Sequence, residues 1–118
     1  MSRRIRRGLA LTVVAVVLLT ITGTAQAVVA ATIRGSGTSW NPTRVTISAG
    51  QTVRWKATSG DHTIHSYGGN WSFSRTLNDG TSRTRTFNST GTFKFYCTLH
   101  GSVSGGTCTG MCGKVRVT

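Results

Sequence analysis

The residues with the clearest capacity for chemistry lie in the second half of this 118-residue chain. A thiol, Cys97, is followed three positions later by an imidazole, His100, and ten further residues separate His100 from a thioether, Met111. A second imidazole can come from His62, in the segment Asp-His-Thr-Ile. Two imidazoles, one thiolate and a weak thioether are the ligands of a mononuclear copper site that transfers electrons. The four residues therefore predict a copper centre.

The local pattern around Cys97 fits a shielded ligand. Residues 93–97 read Phe-Lys-Phe-Tyr-Cys, and side chains on a β-strand alternate between its faces. The two phenylalanines and Cys97 then share an inward face, with the thiol at the rim of the core. A buried free thiol is the ordinary interpretation of a lone cysteine. His100 at this spacing and the distal Met111 favour a metal site instead.

The second imidazole must come from His62 or His65. The two histidines are three positions apart, so on a strand they point to opposite faces. His62 shares its face with Ile64, an inward type of residue, whereas His65 shares its face with Thr63. We therefore predict that His62 is the ligand and that His65 is a surface histidine.

Other chemistries fit the sequence less well. Structural zinc prefers four strong ligands, often in paired Cys and His motifs. The spacing Cys108-x3-Cys112 is similar to part of a dinuclear copper motif, but no histidine follows Cys112. The acidic residues are Asp61 and Asp79 alone, so acid–base catalysis by paired carboxylates is close to excluded. No Ser-His-Asp set is visible either. We expect that the chain is not an enzyme.

The first 27 residues have the features of a secretory signal peptide. Four arginines lie within residues 3–7, an apolar run follows over residues 9–21, and Ala25-Gln26-Ala27 is a cleavage site of the A-x-A type. The run is short for a membrane span, although an uncleaved N-terminal anchor is the alternative. We expect residues 1–27 to be a signal peptide and residues 28–118 to form one exported, soluble domain.

The charge of the predicted domain is strongly positive. Removal of the signal leaves ten basic residues against two acidic ones, a net charge of +8. Such a domain is expected to meet an anionic surface, namely an acidic partner protein, a cell-wall polyanion or lipid headgroups, although a solvated surface without a dedicated partner is equally compatible. We expect no nucleic-acid binding, since no basic helix or nucleic-acid motif is present.

The three cysteines make an odd count in an exported chain, which suggests a metal ligand or a reactive thiol. With Cys97 assigned to the metal, Cys108 and Cys112 can pair as a disulfide. The alternative is that one of these two thiols binds copper or pairs with another molecule.

The region after the signal predicts an all-β fold. Short alternating segments rich in Thr and Val are separated by turn residues, and helical periodicity is nearly absent. We predict seven or eight short strands in a two-sheet sandwich. The clearest strands are predicted at residues 32–34, 44–48, 52–57, 62–66, 81–87, 92–97 and 114–118.

Residues 40–118 resemble the plastocyanin/azurin family of cupredoxins. The resemblance rests on Trp-Asn-Pro at 40–42, on Val-Thr-Ile-Ser-Ala-Gly-Gln-Thr-Val-Arg-Trp at 45–55, on Asp-His-Thr-Ile at 61–64, on the segment from Gly91 to His100, and on Met-x-Gly-x-Val at 111–115. One departure is large: the family usually places the methionine only a few residues after the second histidine.

The resemblance implies a Greek-key β-sandwich with one type 1 copper, held by His62, Cys97, His100 and an axial Met111. It also implies a monomeric carrier of single electrons between redox partners, in the periplasm, at the cell surface or outside the cell, with His100 as the exit of the electron. A copper buffer or delivery protein is the alternative, because the same ligands serve it. A catalytic or sensing copper centre with an open coordination position is a third hypothesis.

Overall fold

The computed structural model of the protein describes Gly8, residues 10–20 and residues 28–118. Residues 10–20 have no regular secondary structure, and their side chains are exposed. Within the described residues, no helix is long and apolar enough to cross a membrane. The arginine cluster and the cleavage site of the predicted signal peptide lie outside the described residues, so the division at residue 27 stays a prediction.

Residues 28–118 form nine strands, with no helix among them. The strands are β1 Val29–Ser36, β2 Ser39–Asn41, β3 Arg44–Ile47, β4 Gln51–Ser59, β5 His62–Tyr67, β6 Ser74–Leu77, β7 Ser82–Phe87, β8 Gly91–Ser104 and β9 Thr107–Val117. Each of the seven predicted segments coincides with a strand, although residues 48, 81 and 118 at the ends of three segments lie just outside it. The short strands β2 and β6 were not predicted, because β2 has only three residues and β6 has three exposed residues in a row before the buried Leu77.

Two mixed sheets contain these strands. One sheet has the order β2-β1-β4-β7 and the other the order β3-β9-β8-β5-β6. β1 runs parallel to β4 and β3 parallel to β9, whereas the remaining neighbours are antiparallel. The chain crosses repeatedly between the sheets, as in Greek-key sandwiches. The predicted all-β, two-sheet sandwich is confirmed.

The core lies between the sheets and is rich in aromatic side chains. Trp55 on β4 is fully buried, and its ring contacts Phe73, Phe87 and Phe95 at centroid distances of 5.7, 6.4 and 5.3 Å. Val53 and Ala57 are buried on the same face of β4, as its alternation predicted. This packing fixes the position of β8, since Phe95 is one of the core residues and lies two positions before Cys97.

The segment between His100 and Met111 is a β-hairpin. β8 continues to Ser104 and β9 begins at Thr107, with Gly101–Ser104 paired to Thr107–Gly110. Gly105 and Gly106 turn the chain with φ values of +57° and +78°, a conformation that glycine adopts without strain. The departure from the resembling family is therefore an ordered arm.

Candidate metal centre

A bulge in β8 carries the thiol and one imidazole. Tyr96 pairs with Cys112, and the next register pair joins Gly101 to Gly110. Four residues of β8 therefore face one residue of β9, which is Met111. The extra length lifts residues 97–100 out of the ladder, so that Cys97 and His100 can turn toward the same point.

β9, the strand that pairs with β8, bends sharply at Met111. Cys108 and Cys112 form a disulfide, and their Cα atoms are 6.1 Å apart, whereas four residues of extended strand would span about 13 Å. The predicted pairing is confirmed, and Cys97 is a free, buried cysteine. The disulfide thus closes a short loop with Met111 inside it.

Gly110 lets the bulge and the bend approach each other. Its φ is +89°, and a Cβ at this position would collide with the carbonyl oxygen of His100. A Cβ on Gly101 would lie 2.9 Å from the backbone nitrogen of Met111 and 3.2 Å from the carbonyl oxygen of Cys97. Both positions exclude larger side chains because the two backbones are in close contact.

His62, Cys97 and His100 form a cluster that could hold a metal ion. Their ligand atoms all lie within 4.8 Å of one another. The Sγ atom of Cys97 is 3.8 Å from Nδ1 of His62 and 3.5 Å from Nδ1 of His100. His62 and Cys97 are buried, with 1% and 0% of their surface exposed, and His100 is half-buried. The cluster therefore lies just beneath the surface.

The His62 ring is oriented by its surroundings. Its Nε2 lies 2.9 Å from the carbonyl oxygen of Ser59, the last residue of β4. A carbonyl accepts a hydrogen bond, so Nε2 carries the proton and Nδ1 presents its lone pair to the cluster. The ring also packs against Trp40 at a centroid distance of 5.7 Å. The absence of a side chain at Gly35 makes this contact possible, since a Cβ there would lie 2.9 Å from the Trp40 ring.

Thr63 ties β5 to the bulge and contacts the sulfur. Its backbone N–H donates to Sγ of Cys97 at 3.4 Å. Its hydroxyl oxygen accepts the N–H of Thr98 at 2.8 Å and lies 2.8 Å from the Thr98 hydroxyl. These contacts hold the bulge of β8, with its sulfur, against β5.

Met111 and His65, the other two residues considered for the site, lie in different places. Met111 is buried, with 1% of its surface exposed, and its carbonyl accepts the indole N–H of Trp40 at 3.3 Å. Because Trp40 also packs on His62, Met111 lies beside the cluster. His65 lies outside it: its Nδ1 is 3.3 Å from the Ser74 hydroxyl, and its ring contacts Tyr96. It is partly buried, so it is less exposed than the sequence predicted.

Sequence reasoning missed the residues that support the ligands. These are Trp40, Ser59, Thr63 and Gly110. Thr63 was predicted only as an outward residue, and Ser59 acts through its carbonyl group, which no side-chain pattern reveals. Trp40 and Gly110 are conspicuous residue types, but contacts with residues 71 and 10 positions away cannot be assigned from spacing.

Comparison with known proteins places the chain by its structure rather than by its sequence. No protein-family model matches it, and no curated protein matches it by sequence. Among solved structures, a reduced amicyanin variant is 21% identical, with a TM-score of 0.62, and the match covers 74% of this chain and 80% of that one. A purple cupredoxin from Nitrosopumilus maritimus is 24% identical, with a TM-score of 0.56, over 75% of this chain and 99% of that one.

A larger protein matches as well. A copper-containing nitrite reductase from Thermus scotoductus is 20% identical, with a TM-score of 0.65, over 85% of this chain but only 25% of that one. These likenesses show that residues 28–118 have the cupredoxin fold, which agrees with the resemblance found in the sequence.

Proposed function

We propose that this chain is a mononuclear copper protein that carries single electrons between redox partners. One observation carries the proposal: a buried sulfur and two imidazole nitrogens, from Cys97, His62 and His100, lie within 4.8 Å of one another. Together with the thioether of Met111, these residues would hold a type 1 copper ion. The cupredoxin fold supports the same assignment.

The donor set fits copper better than structural zinc. A structural zinc site is closed by four strong ligands. The carboxylate of Asp61, next to His62, is already engaged by the backbone N–H of Asp79 at 2.8 Å, and Cys108 and Cys112 are joined in a disulfide. The remaining sulfur of the proposed donor set is the thioether of Met111, which is not a usual zinc ligand.

The protein would serve electron transfer by holding its ligands still. Bound copper would supply the one-electron chemistry, alternating between Cu(I) and Cu(II). The Ser59 carbonyl fixes the His62 ring, the Thr63 N–H contacts the Cys97 sulfur, and the disulfide pins the strand that carries Met111. Little then rearranges when the charge of the site changes. A buffer or delivery protein must release its metal. Ligands held in place by hydrogen bonds and a disulfide therefore favour the hypothesis of an electron carrier.

His100 is the proposed point of electron exchange. It is half-buried, whereas His62 and Cys97 are almost inaccessible. The neighbouring Leu99 is 59% exposed and offers an apolar contact beside the imidazole. A redox partner protein that docks over Leu99 would approach the site through His100.

We also propose a location and a partner for the protein. The sequence features of residues 1–27 support export to the periplasm, the cell surface or the medium, and the net charge of +8 on residues 28–118 supports an acidic partner for a monomeric carrier. We assign no enzymatic role, because the match to the nitrite reductase covers only a quarter of that protein.

Voltammetry of the protein loaded with one equivalent of copper tests the proposal. A carrier gives a fast, reversible one-electron wave and keeps its copper during dialysis against a moderate chelator. Loss of copper to the chelator with sluggish electron transfer would support the buffer or delivery alternative. A visible spectrum that shifts on addition of azide would indicate an open coordination position, and hence a catalytic or sensing centre.

A further inference from the structure

A row of positive charges crosses the outer face of the five-stranded sheet. Arg44 on β3 pairs with Lys114 on β9, Lys114 pairs with Lys94 on β8, and Lys94 pairs with Tyr67 on β5. Adjacent strands lie about 4.8 Å apart, so three cations occupy roughly 10 Å of sheet. Arg116, two residues beyond Lys114, adds a fourth charge on the same face of β9.

This row lacks a neighbouring carboxylate side chain among residues 28–118. Like charges directly opposite each other on adjacent strands destabilise a sheet. The two acidic residues of the chain, Asp61 and Asp79, lie at the His62 end of β5. Tyr67 is at the other end of β5, about 20 Å from Asp61 at ~3.3 Å per residue, well beyond the screening length of about 10 Å. No carboxylate side chain of residues 28–118 therefore lies close enough to neutralise this row.

A cavity of about 430 Å³ opens beside this row. Lys94 and Lys114 line it together with Thr43, Tyr67 and Thr107. Two basic residues and three hydroxyl-bearing residues thus border one space, and no acidic residue is among the lining residues. Burial raises the pKa of Tyr67 above its ordinary value, so its hydroxyl remains a hydrogen-bond donor at neutral pH.

The walls of the cavity are held by the fold. Cys108 and Cys112, which are joined by a disulfide, are among the lining residues, as is the turn residue Gly106. The ammonium group of Lys94 lies 5.9 Å from the centre of the Tyr67 ring, which favours this position of the lysine. The hairpin arm that lengthens the segment between His100 and Met111 therefore also builds one wall of a cationic cavity.

We propose that this cavity, between the Lys94–Lys114 pair and the hairpin arm, is a binding site for a phosphate group. A phosphate carries up to two negative charges and accepts hydrogen bonds from several directions, which matches two lysines and three hydroxyl groups. The group can belong to a soluble phosphate or to a phospholipid headgroup, since both present the same chemistry. The site is independent of the metal centre and of its proposed function.

Titration of inorganic phosphate into the purified protein at constant ionic strength tests the proposal. Binding is followed by the backbone amide signals of Gly106 and Thr107. Replacing Lys94 or Lys114 by glutamine removes a charge-assisted hydrogen bond and should weaken binding about tenfold. The matched control is Lys56→Gln, because Lys56 faces Arg34 in a similar like-charged pair on the other sheet. This control should change the affinity less than about twofold.

Two results would overturn the site. One is the absence of saturable shifts at Gly106 and Thr107, and the other is an equal loss of affinity in the Lys114→Gln and Lys56→Gln variants, which would indicate nonspecific attraction. Sedimentation with vesicles of phosphatidylcholine, with and without phosphatidic acid, then identifies the source. Binding to the anionic vesicles that Lys94→Gln and Lys114→Gln weaken but Lys56→Gln does not assigns a lipid headgroup, and no binding assigns a soluble phosphate. Thermal unfolding checks that both lysine variants remain folded.

Discussion

Removal of the Cys108–Cys112 disulfide should lower stability and disturb the metal centre together. The two Cα atoms are 6.1 Å apart although Cys112 lies four positions after Cys108 in sequence, so the bond maintains a bend that an extended strand would not keep. Replacing both cysteines by serine leaves the pairing of the arm intact but removes the covalent restraint around Met111. We expect this strand to relax toward an extended path, which draws the thioether away from the cluster.

The size of the stability loss follows from the length of the closed loop. The loop from Cys108 to Cys112 contains five residues, and the chain-entropy relation for a loop of this size gives about 2 kcal/mol at 25 °C. For a domain of this length, 2 kcal/mol corresponds to a fall in melting temperature of roughly 10 °C. The loop is short, so the effect on folding is smaller than for most natural disulfides, and the effect on the copper potential is the more diagnostic readout.

Urea unfolding of the metal-free protein measures the first effect, and voltammetry of the copper-loaded protein measures the second. Reduction of the wild-type disulfide is the matched control, because it should reproduce both changes and leave the serine variant unaffected. A loss below about 0.5 kcal/mol together with an unchanged potential would refute the idea that the disulfide maintains the bend.

Three further predictions concern single positions. His62→Ala should weaken copper binding more than about a hundredfold, since even supporting residues contribute 10–100-fold, whereas His65→Ala should leave it nearly unchanged; competition with a chelator checks both. Gly110→Ala should reduce the free energy of unfolding by about 1–3 kcal/mol more than Gly50→Ala, because both have a φ of +89° but only Gly110 contacts backbone. Burial raises the pKa of Tyr67, so the folded state favours the neutral form of this tyrosine. The free energy of unfolding that depends on the neutral form should be intact below pH ~10 and should be lost as the pH rises through the raised pKa. Tyr67→Phe should diminish this alkaline loss, as measured by urea unfolding.

Much of the fold could be predicted from the sequence because the alternation of apolar and polar residues is clear in the long strands. β4 is an example: Val53, Trp55 and Ala57 alternate with exposed residues and are all buried. The hairpin arm could not be predicted in this way. Its residues 101–104 and 107–110 are mostly Gly, Ser and Thr, so they pair through backbone hydrogen bonds without burying an apolar face.

The candidate site was likewise predictable only in part from the sequence. Residue type and strand parity were enough to choose His62 over His65 and to place Cys97 facing inward. The supporting contacts depend on tertiary structure: Trp40 reaches the Met111 carbonyl across 71 positions of sequence, and the carbonyl that orients His62 belongs to Ser59. Such backbone and long-range contacts leave no periodic signal in the chain.

The visible and EPR spectra of the protein loaded with one equivalent of Cu(II), measured beside those of Cys97→Ser, test the copper assignment. We expect an intense thiolate-to-copper band and a type 1 EPR signal in the wild type, both lost in the variant because the buried sulfur within 4.8 Å of both imidazole nitrogens is gone. A wild-type protein that binds Cu(II) without the band, or a Cys97→Ser protein that keeps it, would contradict the assignment of the site.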